Sequence, residues 1–270
     1  MNYQALFTDF DGTLKTSDSD GKISEANIKA INAAKAAGKF VVLCSGRSWQ
    51  SLGHFEKMMA FNTPKNYGVA FNGGVVYTHD KNGYEILFEQ ALEKTTANEV
   101  IREVKKINLP NVEIFTYGIN GDFFAEEHMK GKVPFGELRF ITEHYVKDFS
   151  KVADEFAKVI LFGENGALKT IATQMSKYSP VFSADCLLEF LPPDINKGRG
   201  MAFLADYLNI PLKEVIAMGD EENDIPMLKA AGLGIAVANA VTATKASADV
   251  VLPQSCHEDA VSVAIHKYLL

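Results

Sequence analysis

The chain has 270 residues, of which 47 % are hydrophobic and 23 % charged, and its formal net charge is −7. This length and composition are typical of a globular protein with one large domain or two unequal ones. The acidic balance argues against nucleic acid as a partner, because no basic excess is present to neutralise phosphates. No apolar run approaches the length of a membrane span, so we expect no membrane partner.

The cysteines and the N-terminus bear on where the protein acts. The three cysteines, Cys44, Cys186 and Cys256, have wide and unrelated spacings, which indicate neither a disulfide framework nor a zinc site. The first residues run directly into an apolar segment with no basic leader before it. We therefore expect a cytoplasmic protein, present as a monomer or a small homo-oligomer.

Short apolar runs alternate with helical patterns at the start of the chain. Strands are predicted over 3–8, 40–43 and 68–71, with one helix capped by Ser24 and another beginning near Ser48. Buried apolar runs separated by helices predict a parallel sheet that is covered by helices on both faces.

The same alternation returns near the C-terminus. It predicts strands over 215–218, 234–237 and 250–251, and helices over 198–208, 225–231 and 259–269. The two ends of the chain together therefore predict a doubly wound, Rossmann-like α/β core.

The middle of the chain has a different pattern. Lys81-Asn82-Gly83 is a hairpin turn signal, and beyond it strands and helices occur without the regular alternation. The predicted strands lie at 112–116, 123–125, 159–162 and 186–190, and the predicted helices at 98–107 and 167–175. These elements favour an α+β module inserted into the core. The predicted division gives 1–81 and 188–270 to the core and 82–187 to the insertion.

The first of four polar segments runs from Asp9 to Leu14, directly after the opening strand. Ligands of open parallel sheets bind beyond the carboxyl ends of the strands, where Asp9 and Asp11 are expected to lie. Two carboxylates at this spacing can share a hard cation, and Gly12 permits a sharp turn. The alternative interpretation is a solvated acidic turn.

The second segment, Ser45-Gly46-Arg47, follows the second strand. A hydroxyl and free backbone N–H groups at a strand-to-helix junction suit an anion. Serine is also a common helix cap, so the segment by itself leaves both interpretations open. Arg47 either pairs with an acidic neighbour or assists binding, and pairing is the preferred interpretation.

The third and fourth segments supply a lysine and an acidic loop. Lys197 at a helix start is unfavourable for the helix dipole, which indicates an anion nearby unless the lysine is simply solvated. Residues 219–224 place dense acidic side chains after a strand, where they fit either a divalent metal site or a solvated loop. In combination, the four segments bring carboxylates, a hydroxyl and a lysine to one edge, which is the charge set for phosphoryl transfer.

In this order the four segments resemble the motifs of the haloacid dehalogenase (HAD) superfamily of phosphohydrolases. The chain is most similar to the Cof-type subfamily, whose C2B cap lies between the second and third motifs. Asn72-Gly73-Gly74 also resembles Cof-type sequences, and Ser45 stands where threonine is frequent, which keeps the hydroxyl. The cap of such enzymes selects the substrate. Candidate cap residues are His128, Lys130, Arg139 and Tyr145.

The resemblance implies a Mg²⁺-dependent phosphatase of small phosphorylated metabolites, with sugar phosphates as the expected class. It implies that Asp9 attacks phosphorus to form an aspartyl-phosphate, while Asp11 protonates the leaving group and then activates water. Mg²⁺ would be held by Asp9, the Asp11 carbonyl and Asp220, with Asp224 either a further ligand or a partner of the bound waters. The groups implied to hold the phosphate are Phe10 (through its amide), Ser45, Gly46, Lys197 and Asn223.

Two rival functions use the same residues. A phosphomutase forms the same aspartyl-phosphate but returns the phosphoryl group to a sugar. A non-catalytic sensor would keep the pocket for a phosphorylated ligand. The intact set of Asp9, Asp11, Lys197 and Asp220 weighs against a sensor, since a binding module needs no nucleophile.

Overall fold

A computed structural model describes residues 2–16, 22–59, 65–134 and 141–270 of the chain. The strands are β1 (Ala5–Thr8), β2 (Phe40–Cys44), β3 (Asn66–Ala70), β4 (Val75–Asp80), β5 (Gly83–Glu89), β6 (Glu113–Gly118), β7 (Phe123–Glu126), β8 (Glu143–Val146), β9 (Phe156–Phe162), β10 (Val181–Ala184), β11 (Leu187–Phe190), β12 (Val215–Gly219), β13 (Leu233–Ala236) and β14 (Val250–Val251). The helices are α1 (Glu25–Ala36), α2 (Trp49–Met58), α3 (Lys94–Ile107), α4 (Asn165–Gln174), α5 (Lys197–Tyr207), α6 (Ile225–Ala230), α7 (Thr242–Ser247) and α8 (Ala260–Ala264).

The larger of two sheets has eight strands in the order β14-β13-β12-β1-β2-β3-β4-β5. The strands from β14 to β3 pair in parallel, which confirms the predicted α/β core. β4 and β5 extend this sheet as an antiparallel hairpin. The turn between β3 and β4 is too short for the crossover that a parallel connection needs, so the direction reverses there.

Alternate residues of the central strand enter two different apolar clusters. Leu6 packs in a cluster with Ile31 of α1 and Ala264 of α8. Its neighbour Phe7 packs in another cluster with Leu204 of α5 and Met227 of α6. Because successive strand side chains point to opposite faces, helices cover both faces of the sheet, as doubly wound folds require.

The smaller sheet has six strands in the order β10-β11-β9-β6-β7-β8. One face packs against α3 and α4, where Val100 and Leu168 meet Phe156 in one cluster. The other face belongs to the cluster of the larger sheet, and the rings of Tyr117 and Phe71 lie 5.4 Å apart. The smaller sheet therefore lies against the larger one through aromatic contacts.

The sheet pairing bears on the expected division of the chain. Gly83–Glu89 (β5), beyond the predicted edge at residue 82, pairs with β4 in the larger sheet. Leu187–Phe190 (β11), at the other predicted edge, pairs with β9 in the smaller sheet. The division into a core and an inserted cap remains a prediction. Among the described helices, none combines the length and the apolar character that crossing a bilayer requires.

Among the strands and α-helices of the described residues, three had no counterpart in the sequence prediction, namely β8, β10 and α7. β8 and β10 are the two edge strands of the smaller sheet, and their residues are exposed or half-buried. An edge strand buries less of its surface and so lacks the apolar run that marks a central strand. By contrast, the helix cap predicted at Ser24 is confirmed, since its side chain accepts from the Asn27 amide.

The central strand should dominate the stability of the larger sheet. Leu6 is fully buried, and Leu6→Ala should lower the free energy of unfolding by about 2–5 kcal/mol because it leaves a cavity. Leu270→Ala removes the same atoms at a position that is 54 % exposed, and it should change the free energy of unfolding by less than about 0.5 kcal/mol. Urea denaturation of both variants checks this, and equal losses would contradict the packing described.

Candidate active site

The parallel register brings three strand ends to one edge of the larger sheet. Thr8 of β1 is level with Met218 of β12 on one side and with Leu43 of β2 on the other. The segments that follow therefore leave the sheet together. The carboxylate oxygens of Asp9, Asp220 and Asp224 lie within 4.8 Å of one another, which confirms that the distant acidic segments meet.

A buried lysine lies between two of these carboxylates. Lys197 is the first residue of α5, and its Nζ lies 2.5 Å from Asp9 Oδ1 and 2.5 Å from Asp224 Oδ1. Burial acts to lower the pKa of Lys197, but the carboxylates of Asp224 and Asp9 outweigh it and raise that pKa above its usual value. The lysine is therefore charged, and the anion expected near it includes these carboxylates.

The acidic loop is ordered by its own carboxylate and by the first segment. Asp224 Oδ2 accepts the amides of Asp220 and Glu221 at 2.8 and 3.0 Å. Asp220 Oδ1 accepts the hydroxyl of Thr13, 207 positions earlier, at 2.7 Å. Gly12 has φ +85°, and a Cβ there would collide with the Asp220 carboxylate, so glycine is needed at this turn.

The cluster carries more negative than positive charge. Burial raises the pKa of Asp9 well above its usual range, with the charges of Asp224 and Asp220 adding to this against Lys197. Burial and the Asp224 charge raise the pKa of Asp220 to about 7. Three buried carboxylates and one ammonium leave a deficit of positive charge, and their donors are all oxygens. This donor set fits a hard divalent cation such as Mg²⁺.

Asp11 has a different environment from Asp9. Arg47 donates to both of its carboxylate oxygens, from Nε at 2.5 Å and from Nη2 at 2.8 Å, and Lys15 Nζ lies 3.2 Å away. Burial alone would raise the pKa of Asp11, but the charge and hydrogen bonds of Arg47 lower it below its usual value. Asp11 is therefore ionised, and the pairing interpretation of Arg47 is confirmed.

The second segment keeps its hydroxyl at the site. α2 is capped by Ser48, whose side chain accepts from the Ser51 amide, so Ser45 is not the cap. Ser45 is buried, and its Oγ accepts the Arg47 amide at 3.2 Å. The phenyl ring of Phe10 is buried in the core, 4.8 Å from the Phe55 ring, so only its main chain can serve the site.

Most of the predicted residues share one cavity of about 320 Å³. Those that line it are Asp9, Asp11, Ser45, Gly46 and Asn223. Lys197 and Asp224 lie behind Asp9, in the ion contacts described above. The Asn223 side chain donates to Asn72 Oδ1 at 3.0 Å.

Sequence reasoning missed the cavity wall that comes from the smaller sheet. Lys158 of β9 and Glu189 of β11 line the cavity and form an ion pair at 2.8 Å. The available signal was a charged residue inside an otherwise apolar strand, as both FAKVILF and LLEF show. The cap candidates His128, Lys130 and Tyr145 do not line this cavity, and Arg139 lies outside the described residues.

Comparisons with known proteins agree with this geometry. The family model of haloacid dehalogenase-like hydrolases matches residues 6–265. A Methanoculleus marisnigri phosphoglycolate phosphatase is 28 % identical, with 98 % of this chain and 96 % of the relative covered. Bacillus subtilis YcsE, a 5-amino-6-(5-phospho-D-ribitylamino)uracil phosphatase, is 27 % identical, with 100 % and 97 % covered. A haloacid dehalogenase-like hydrolase structure from Bacteroides thetaiotaomicron has a TM-score of 0.79 at 26 % identity, with 98 % and 99 % covered.

The family model spans nearly the whole chain, so the chain belongs to the haloacid dehalogenase-like hydrolases, as the motifs and their order predicted. Within that family it is a phosphoric monoester hydrolase. The resemblance and the fold class drawn from the sequence are thereby confirmed.

The raised pKa of Asp220 predicts a pH dependence of stability in metal-free protein. The folded-state pKa of about 7 lies above the usual value near 4, so the folded state binds this proton more tightly than the unfolded state does. The resulting stability is present at low pH and is lost as the pH rises through about 7, by at most about 1.4 kcal/mol per pH unit.

Urea denaturation between pH 5 and pH 8, with a chelator present, measures this loss. We expect Asp220→Asn to have a shallower decline than the unmodified chain, because its side chain cannot titrate. Asp206→Asn, at an exposed position of α5, should keep the original slope. If the free energy of unfolding of Asp220→Asn fell with pH as steeply as that of the unmodified chain, Asp220 would not be the titrating group.

Proposed function

We propose that this hydrolase is a Mg²⁺-dependent phosphatase of small phosphorylated metabolites that uses Asp9 as its nucleophile. One observation carries the proposal: the Asp9 carboxylate lines an open cavity while a buried lysine and two further carboxylates lie against it. A nucleophile of this kind requires fixed positive charge nearby, because phosphoryl transfer places negative charge on the transferring oxygens.

The acidic cluster supports a place for the ion. Asp9 and Asp220, together with the Asp11 carbonyl, would hold Mg²⁺, and the bound ion would neutralise charge on the phosphate. Asp224 already uses one oxygen for Lys197 and the other for two backbone amides. These contacts favour Asp224 as a residue that orders the loop and its bound waters over Asp224 as a direct ligand.

In the proposed reaction Asp9 attacks phosphorus in line. The phosphorus–oxygen bond to the leaving group breaks, an aspartyl-phosphate forms, and Asp11 gives its proton to the departing oxygen. Asp11 then takes a proton from the water that hydrolyses the intermediate. The ionised Asp11 described above is the form that the second step needs. The first step requires a protonated Asp11, so Arg47 must release one carboxylate oxygen when substrate is bound.

The remaining donors of the cavity are proposed to hold the phosphate. Ser45 presents its hydroxyl, Gly46 and Phe10 their amides, and Asn223 its side-chain amide. Lys197 supplies the positive charge of its ammonium group. Its charge lowers the Asp9 pKa against the larger effect of burial, and a bound divalent cation would lower that pKa further.

The size of the cavity supports a small substrate. At about 320 Å³ it lies at the lower end of the range for small-molecule sites. The relatives named above act, by their names, on phosphoglycolate and on a phosphorylated ribitylamino compound. We propose small organic phosphates as the substrates, with sugar phosphates as the expected class.

We also propose a cytoplasmic enzyme, active as a monomer or small homo-oligomer, without nucleic-acid or membrane partners. The acidic net charge supports this. So do Cys44, Cys186 and Cys256, which are free thiols in the described residues and are compatible with a reducing compartment.

Replacement of the nucleophile is the direct test. Asp9→Asn should reduce Mg²⁺-dependent hydrolysis of p-nitrophenyl phosphate by roughly 10³-fold or more, because the amide cannot attack phosphorus. Its circular dichroism spectrum should match that of the unmodified chain. Asp206→Asn makes the same chemical change at an exposed position and should retain full activity. Turnover by Asp9→Asn at the unmodified rate would refute the proposal.

A product assay separates hydrolysis from the phosphomutase alternative. With hexose phosphates and a bisphosphate activator present, we expect every substrate molecule consumed to yield one inorganic phosphate and one free sugar. Phosphoryl transfer to water requires no second sugar in the cavity. Formation of an isomeric sugar phosphate without release of phosphate would show a mutase. Binding of these ligands without any turnover would show a sensor.

A further inference from the structure

The two loops proposed to hold the phosphate both connect to one carboxylate of the smaller sheet. The carbonyl of Gly46 accepts Lys158 Nζ at 2.7 Å, and Lys158 pairs with Glu189 Oε1 at 2.8 Å. On the other side, Asn223 donates to Asn72 Oδ1 at 3.0 Å, and Asn72 Nδ2 donates to Glu189 Oε2 at 2.5 Å. The two carboxylate oxygens of Glu189 are therefore connected to different loops of the larger sheet, Oε1 to the loop of Gly46 and Oε2 to the loop of Asn223.

The side chains that form this hydrogen-bond network are buried. Lys158 is 2 %, Glu189 3 % and Asn72 1 % exposed. A buried ion pair is costly unless its remaining hydrogen-bonding groups are satisfied, and here Ser183 also donates to Glu189 Oε1 at 2.9 Å. In such a low-dielectric setting each contact is sensitive to the position of its partner. The network therefore specifies one arrangement of the two sheets around the cavity.

The backbone at Asn72 is strained. Phe71 and Asn72 have φ values of 49° and 54°, in the left-handed region that side chains disfavour. The turn is nonetheless held against the second segment, because Phe71 N donates to Arg47 O and Asn72 N donates to Ser45 O, both at 2.9 Å. Strain that is kept beside the cavity-lining residues Ser45 and Arg47 indicates that the placement of the Asn72 side chain matters.

We propose that Asn72 is a positioning residue. It orients the side-chain amide of Asn223 toward the transferring phosphate, and it does so only while it is hydrogen-bonded to Glu189 of the smaller sheet. The inference rests on the proposed function, since Asn223 and Gly46 hold phosphate only in that mechanism. Through the Lys158–Glu189 ion pair, the position of the smaller sheet then affects the position of both loops proposed to hold the phosphate.

Asn72→Gly tests the amide without disturbing the turn, because glycine adopts a φ of 54° readily. We expect kcat/KM for p-nitrophenyl phosphate to fall at least about tenfold, since a misplaced donor no longer meets the charge of the transition state. The inhibition constant of orthovanadate, which mimics the transferring phosphoryl group, should rise by a similar factor. The thermal midpoint should fall, because Glu189 Oε2 and the Asn223 amide lose a buried partner, so the vanadate inhibition constant is the readout that identifies a positioning role.

Asn108→Gly is the matched control. Asn108 ends α3 with φ 50°, is exposed, and lies away from the cavity, so the same substitution relieves the same backbone conformation there. Its kcat/KM and its vanadate inhibition constant should remain within about twofold of the unmodified values. A merely structural role for Asn72 would move the thermal midpoint and leave vanadate inhibition unchanged.

Glu189→Gln tests the same connection from the smaller sheet. It keeps the size of the side chain and removes the charge that orders Lys158 and Asn72. If the contacts act as one unit, the Asn72→Gly/Glu189→Gln double variant should lose no more than about threefold beyond the more impaired single variant. Independent residues would instead give the product of the two losses.

The outcomes separate the inference from the function on which it rests. Vanadate inhibition and kcat/KM within twofold of the unmodified values in Asn72→Gly would overturn the inference while leaving the phosphatase intact. Multiplied losses in the double variant would overturn the coupling through Glu189. An unmodified chain with no Mg²⁺-dependent phosphatase activity would overturn the proposed function, and the inference with it.

Discussion

The contact of the Lys197 ammonium with the carboxylates of Asp9 and Asp224 is the interaction on which the site depends. It joins the ends of β1 and β12 to the start of α5, and it is almost wholly buried. Without it the carboxylates would repel one another in a medium that screens charge poorly. With it a surplus of negative charge still remains beside Asp220, so the same cluster that holds the loops together also fits a divalent cation.

Sheet geometry makes this contact possible. Parallel pairing in one register places the carboxyl ends of three strands side by side, so residues far apart in the chain leave the sheet at the same point. The smaller sheet then provides the opposite wall of the cavity through Lys158 and Glu189. The larger sheet therefore supplies the proposed chemistry, and the smaller one limits the space in which a substrate can lie.

Environment distinguishes the two aspartates of the first segment. Burial, with the added charges of Asp224 and Asp220, raises the pKa of Asp9, whereas Arg47 lowers the pKa of the equally buried Asp11. Residues of one type, two positions apart, thus acquire different proton affinities from their neighbours alone. The first proposed step needs the opposite protonation states, an ionised Asp9 and a protonated Asp11, so a bound cation would have to lower the Asp9 pKa and Arg47 would have to release Asp11.

The sequence alone determined the doubly wound sheet and the four segments at its edge, because periodicity and turn residues are local and the carboxyl ends of parallel strands must meet. It did not reveal the edge strands β8 and β10, whose residues lack a buried pattern. Nor did it reveal Lys158, which reaches the carbonyl of Gly46 across 112 positions. Tertiary structure decided which middle residues line the cavity, because that depends on how one sheet packs against another, and no local pattern records such packing.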